Sequence, residues 1–222
     1  MRRFRPLILA LAAAMAAAGI AACGGDDEST TSSTAASGTC EQVEAPDPRK
    51  VKLKPPTEKV TPGEKISATV ATNCGEFSFA LDTEGSPKTA ASFVHMVDEG
   101  LYDGTTFHRV VPGFVIQGGD PQGTGVGGPG YSVTERPPAD TVYTRGTVAM
   151  AKTANEPPGT SGSQFYVVTA ADAGLPPDYA ILGEVTDGEA TVDAIEEQAD
   201  PNLGTTGGPP VMPIVIDSIT IG

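Results

Sequence analysis

FHRVVPGFVIQGGD, residues 107 to 120, is an almost continuous apolar run that carries one arginine, Arg109, and one amide, Gln117. A strand that buries a guanidinium and a carboxamide has to aim them at something, because an unpaired charge or amide in apolar surroundings is costly. Pro112-Gly113 splits the run, and Gly118-Gly119 closes it in a sharp turn. The stretch reads as two short strands around a turn. Phe, Val and Ile side chains form a pocket wall, and Arg109 and Gln117 are its polar groups.

Working outward, Ile66 to Leu81 alternates with period two: Ile66, Ala68 and Val70 share one face, then Phe77, Phe79 and Leu81, around an Asn73-Cys74-Gly75 turn. Ser86-Pro87 is a helix start, and Ala90, Phe93, Val94, Val97 and Leu101 recur at helical spacing until Gly100 marks the end. His95 falls on the opposite face from Phe93 and reads as a solvated surface residue. Beyond the central stretch, Pro121 to Gly130 matches GxGxxG twice, for example at Gly123, Gly125 and Gly128. No helix follows to hold a pyrophosphate, so a dinucleotide site is excluded and a mobile loop beside the pocket is expected. YSVTERPP, from Tyr131, is a strand or loop. Thr147 to Ala151 and Gln164 to Thr169 are β-type runs, Glu189 to Gln198 is a short helix with Val192 and Ile195 inward, and Ile214 to Ile221 is a last strand. Many short strands, two helices and no βαβ rhythm predict a mainly β, closed antiparallel barrel.

The central stretch resembles the signature of the cyclophilin-type peptidyl-prolyl cis-trans isomerases. So do GTVAMAKT (Gly146 to Thr153), GTSGSQFYVVTA (Gly159 to Ala170) and ILGEV (Ile181 to Val185), at matching intervals. The resemblance runs from about Lys65 to Gly222 and implies a closed eight-stranded barrel capped by two helices, with a GTGG-like loop at the glycine-rich segment. It also implies catalytic roles for Arg109, Phe114 and Gln117, and substrate contacts from His108, Val115, Ala151, Lys152, Gln164, Tyr166, Leu175 and Tyr179. The sequence departs from the family where methionine is common at Val115, phenylalanine at Tyr166, asparagine at Lys152 and histidine at Tyr179. Gly174 stands near the place of a tryptophan frequent in ciclosporin-sensitive members, and the chain has no tryptophan.

The N-terminal part reads separately. Arg2, Arg3 and Arg5 precede an alanine-rich apolar run to Ala22, the pattern of a secretory signal over residues 1–22. Ile20-Ala21-Ala22-Cys23 resembles a bacterial lipobox, which makes Cys23 the lipidated N-terminus of an exported protein held on the outer face of the cell membrane; a plain signal peptide is the alternative. Residues 23–39 are a disordered tether, 40–63 a proline-rich, extended collar, and 64–222 the cyclophilin-like domain. Loss of residues 1–22 leaves 28 acidic against 11 basic side chains, a net charge of −17. Such a chain is repelled by phosphate backbones and anionic headgroups, so nucleic acid is excluded as a partner and attachment falls to acyl chains. Cys40 and Cys74 remain, an even pair in an oxidising compartment, which favours a disulfide over a metal pair or free thiols.

The chemistry is weighed against hydrolysis first. Ser161 and Ser163 are not in a GxSxG context, and His108 has no evident orienting carboxylate. Paired carboxylates of the glycosidase kind are missing from the apolar strands. Rotation about an X-Pro amide, whose barrier is about 18–20 kcal/mol, asks for no nucleophile, metal or cofactor. A dry pocket for the ring, a hold on the neighbouring carbonyl and a donor at the prolyl nitrogen suffice. The expectation is a monomeric isomerase without cofactors, acting on proline-containing segments of extracytoplasmic proteins. A non-catalytic proline-peptide-binding or chaperone module on the same barrel is the alternative.

Overall fold

The computed structural model describes residues 38–222. The signal segment, Cys23 and all but the last two residues of the tether lie outside the described residues.

In chain order the elements are β1 (Ser67–Thr72), β2 (Gly75–Leu81), α1 (Pro87–Asp98), β3 (Thr105–Thr106), β4 (Arg109–Val111), β5 (Val115–Gly118), β6 (Val133–Thr134), β7 (Thr147–Met150), β8 (Thr160–Ser161), β9 (Phe165–Val168), β10 (Ile181–Asp187), α2 (Glu189–Glu196) and β11 (Val215–Ile221). One antiparallel sheet runs β3-β11-β1-β2-β10-β7-β9-β5-β4, and β6 pairs with β8 apart from it. The expected count of eight strands in a closed barrel is thus corrected to nine in a strongly curled sheet. The extra strand arises because residues 105–111 do not form one ladder. β3 pairs with β11 and β4 with β5, and Phe107-His108 between them lies in neither. These two edge strands are neighbours in sequence, so the ends of the sheet meet there. The seam carries only single bridges, Thr106 to Asp120 and Val110 to Gly208.

Strand alternation divides the side chains between two clusters. Val110, Ile116, Val148, Met150, Phe165 and Val167 point to the inner core, with Phe77, Phe79, Phe93, Phe107 and Tyr102. Their rings pack edge to face or tilted at centroid distances of 5.1–6.3 Å, and each large buried side chain contributes about 1.5–3 kcal/mol by area burial. Val111, Val115, Ala149, Tyr166 and Val168 face the other way and form a second cluster. This outer cluster is where the central stretch and the GSQFYVV block meet.

The helix α1 begins after Ser86 with Pro87 at its first position, as expected, but Ser86 makes no side-chain cap. It ends on Gly100, whose φ of 63° lets the Gly100 N–H reach Val97 O and the Leu101 N–H reach Met96 O. His95 is half-buried at the surface, where its Nε2 lies 3.0 Å from the carbonyl of Lys54 in the collar. The collar, residues 40–63, has no strand or helix. A Cys40–Cys74 disulfide ties its start to the β1–β2 turn, and Val51, Leu53 and Val60 pack on the core. In α2, Val192 and Ile195 are buried, as their spacing requires.

Candidate active site

The β4–β5 hairpin turns through Pro112-Gly113. Phe114 N–H bonds Val111 O at 3.1 Å and Gly113 has φ 64°, a type II geometry in which only glycine sits without strain. Phe114 belongs to the turn, which sets the register so that Arg109 lies opposite Gln117 and Val111 opposite Val115. Across the next strands Gln117 pairs with Tyr166, and Tyr166 with Ala149. Arg109, Gln117, Tyr166 and Ala149 therefore form one row on the outer face.

The guanidinium of Arg109 is partly buried and makes two long contacts, Nη1 to Gln117 Oε1 and Nη2 to the carbonyl of Thr206, both at 3.4 Å. Burial draws its pKa below the ordinary value, against the pull of the nearby Tyr179 hydroxyl. The opposite end of Gln117 donates to Gln164 Oε1 at 3.0 Å, and Gln164 Nε2 donates to Gly127 O at 3.0 Å. A chain of amides thus runs from the arginine to the glycine-rich loop, and each amide has its orientation set by the next.

On one side of this row lies the apolar wall: Val111, Val115, Tyr166 and Val168 are buried, with Phe114, Ala151, Leu175 and Tyr179 partly exposed around them. Tyr143 holds the rim, its hydroxyl donating to Tyr179 O at 2.7 Å and accepting from Tyr179 N–H at 3.0 Å. The Tyr166 hydroxyl is buried without a partner among the described residues, and burial pushes its pKa well up, so it stays protonated. On the other side a cavity of about 160 Å³ is lined by Gln117, Gly127, Ala151, Lys152, Glu156 and Gln164, among others. Lys152 closes its edge: Nζ donates to Thr153 O and Glu156 O at 3.3 Å and lies 5.3 Å from the Tyr179 ring centroid.

His108 stands apart from the other expected substrate contacts. Both ring nitrogens are buried with no hydrogen-bond partner among the described residues, next to Gly125. Desolvation lowers its pKa, opposed by the Asp120 carboxylate, so the ring sits neutral behind the glycine-rich loop. The remaining expected residues converge on the row and its two flanks.

Asp120 was not anticipated. Its carboxylate accepts from the backbone N–H groups of Gln122, Thr124, Gly125 and Gly127 at 2.7–3.0 Å. Burial pushes the carboxyl up, but these four donors outweigh it and hold the pKa below the usual carboxylate range. The loop is wound around one buried anion, so the mobility expected of it has a counterweight. An Asp opening a Gly-rich run is the sequence signal for this kind of local side-chain turn. The Thr206 carbonyl has no such signal, since it comes from a 3₁₀ segment, Pro201–Thr206, far along the chain.

A guanidinium beside an apolar wall, with an amide chain behind it, is the geometry in which residues 67–221 match the profile of the cyclophilin type peptidyl-prolyl cis-trans isomerase/CLD family. The chain belongs to that family. Among relatives, it is 40% identical over 177 residues to the probable peptidyl-prolyl cis-trans isomerase A of Mycobacterium leprae, covering 71% of this chain and 93% of the relative. It is 34% identical over 171 residues to the peptidyl-prolyl cis-trans isomerase-like 2 of Cryptococcus neoformans, covering 76% of this chain but only 29% of that longer protein. The crystal structure of a Cryptosporidium parvum cyclophilin type isomerase superposes with a TM-score of 0.64 at 33% identity, over 72% of this chain and 98% of that one. A further crystal structure of that protein was obtained in the presence of the dipeptide Ala-Pro. The cyclophilin match begins at residue 67, so the collar lies outside it.

Proposed function

We propose that this cyclophilin catalyses rotation about X-Pro bonds in extracytoplasmic polypeptides while anchored through a lipidated Cys23. The observation that carries the catalytic part is the state of Arg109. Its guanidinium lies in the row beside the apolar wall, and its two contacts, at 3.4 Å each, are at the long end of hydrogen bonding. Donors remain for a substrate.

In this reading the prolyl ring rests on Val115, Phe114, Tyr166 and Leu175, and Gln117 holds the substrate backbone. As the amide twists, its resonance is lost and the nitrogen lone pair localises; an Arg109 N–H then bonds that nitrogen better than it can in either planar state. Preferential bonding of the twisted state lowers the barrier, and a reduction of about 5–8 kcal/mol corresponds to roughly 10⁴–10⁶ in rate. No bond is broken and no proton has to leave. Lys152 and Tyr179 border the substrate channel, where they bias which residues flank the proline.

The export reading rests on the basic, then apolar, then Cys23 pattern of the N-terminus and on a cysteine pair suited to an oxidising compartment. A protease-coupled assay with proline peptides tests the catalysis, and a rate no faster than the uncatalysed exchange leaves only the binding-module reading. For the anchor, Cys23→Ser should release the protein from membranes. A variant that stays bound after a high-salt wash rules the lipid out.

A further inference from the structure

The collar reaches the active site from behind. Arg49 N–H bonds the carbonyl of Pro121 at 2.9 Å and Leu53 N–H bonds the carbonyl of Pro129 at 2.8 Å. These two prolines are buried and bracket the glycine-rich loop. Between the two bonds Lys52 lies against Gly130, where a Cβ would come within 3.2 Å of its side chain. The collar is itself clamped along its length. Cys40 is disulfide-bonded to Cys74, and Glu41 exchanges bonds with Asn73 at 2.7 Å. The Arg49 guanidinium takes the carbonyls of Gly100, Leu101 and Asp103 just beyond α1, and the Lys54 carbonyl meets His95.

The loop so held is the one whose Gly127 carbonyl orients Gln164, which orients Gln117, which contacts Arg109. We propose that the Cys40–Gly63 collar, which lies outside the family profile, is a positioning element of the active site, and that Arg49 and Leu53 act through the glycine-rich loop on the amide chain that aims Arg109. Asp120 fixes the shape of the loop, while the two collar bonds fix where its ends sit on the domain. A loop anchored only through Asp120 can tilt as a unit and carry the Gly127 carbonyl away from Gln164. An error on the order of 1 Å in such a chain is enough to cost up to about a hundredfold in rate.

The inference rests on Arg109 as the catalytic donor, so its test has a readout that does not depend on that role. In the full chain, Leu53→Pro deletes the N–H that holds Pro129, while Leu53→Ala keeps the N–H and carries the loss of packing. The difference between the two variants isolates the bond. Leu53→Pro is expected to shift the side-chain amide NMR signals of Gln164 and Gln117 relative to Leu53→Ala and to lower kcat by a further factor of about ten, with KM changed less than about twofold. Should Leu53→Pro not fold, Arg49→Ala removes the guanidinium clamp and leaves the backbone intact, with the same expected shifts and partial rescue by Arg49→Lys. Amide signals that coincide between Leu53→Pro and Leu53→Ala overturn the proposal, as does an equal loss of kcat in both. If the signals shift but Arg109→Ala is itself active, the collar still positions the amide chain and it is the role of Arg109 that falls.

Discussion

Arg109→Ala separates stability from catalysis more cleanly than any other change in this site. Among the described residues the side chain hydrogen-bonds only Gln117 and Thr206, both at 3.4 Å. Bonds this long sit at the weak end of the range in which a hydrogen bond contributes about 0.5–1.5 kcal/mol net. Gln117 keeps its bond to Gln164 in the variant, and Thr206 O lies where water can replace the lost donor. Folding stability should therefore fall by about 1 kcal/mol or less. In the twisted state the same guanidinium faces a localised lone pair, and loss of a donor of this kind costs about 10²–10³ in rate, or about 2.7–4 kcal/mol. The expectation is a variant with a near-normal unfolding midpoint, peptide affinity within a few-fold of the parent, and kcat lower by at least about a hundredfold. Arg109→Lys should recover little, because a compact ammonium cannot reproduce the planar fork that sets the direction of the donor. Exchange spectroscopy on a proline peptide measures the rate, titration the affinity, and urea unfolding the stability. A folded alanine variant with near-full activity refutes the reasoning, and so does one that loses affinity and rate in equal measure.

Other consequences follow from single buried groups. Tyr166 carries a buried hydroxyl with no partner, a group whose desolvation costs about 1–3 kcal/mol, so Tyr166→Phe should raise stability by about 1 kcal/mol in urea at unchanged m; lower stability would mean that the hydroxyl is bonded. The depressed pKa values of Asp120 and His108 both predict loss of stability in acid. The neutral His108 resists protonation relative to the unfolded chain, so stability should decline once pH drops below about 6.5; the Asp120 contribution, complete above about pH 3.9, is lost as pH falls through its lower folded value. Unfolding midpoints from pH 8 to 3 check this, and Asp120→Asn should flatten the lower part of the curve. A flat profile in the parent protein would contradict both assignments. Ciclosporin should inhibit weakly, because Gly174 is exposed with nothing within 4 Å of a Cβ built there, where an indole would supply apolar area and an N–H donor; strong inhibition in a titration would refute this.

The hairpin shows how far the sequence could be read. Two strands around Pro112-Gly113, an apolar wall, and Arg109 and Gln117 as its polar groups all followed from residue types and the turn residues that divide and close the run. Their mutual placement did not. If Phe114 had been the first strand residue, a two-residue turn would have paired Val111 with Phe114, and Arg109 would have faced Ile116. Phe114 instead completes a three-residue turn, and the register moves by one, which puts Gln117 opposite the arginine. Nothing local in VVPGFV decides between these, since Phe is as good a strand residue as a turn flank. The choice is made by β9, whose Tyr166 and Val168 need Gln117 and Val115 as partners.

The break between β3 and β4 was hidden for a related reason. An unbroken apolar run predicts burial but not a continuous ladder, and Phe107 serves the core here while lying outside both strands. At this break the ends of the sheet meet through single bridges, Thr106 to Asp120 and Val110 to Gly208, and not through a continuous ladder. The Thr206 carbonyl and the bonds from the collar to the loop were beyond local reading, because they join residues 97, 72 and 76 positions apart. What the sequence did carry was the composition that such contacts need: extended, proline-rich segments have no helix or strand of their own to satisfy, so their N–H and C=O groups are free to bond whatever they lie against. Residues 40–63 have that composition, and they spend two of those N–H groups on the two ends of the loop that backs the active site.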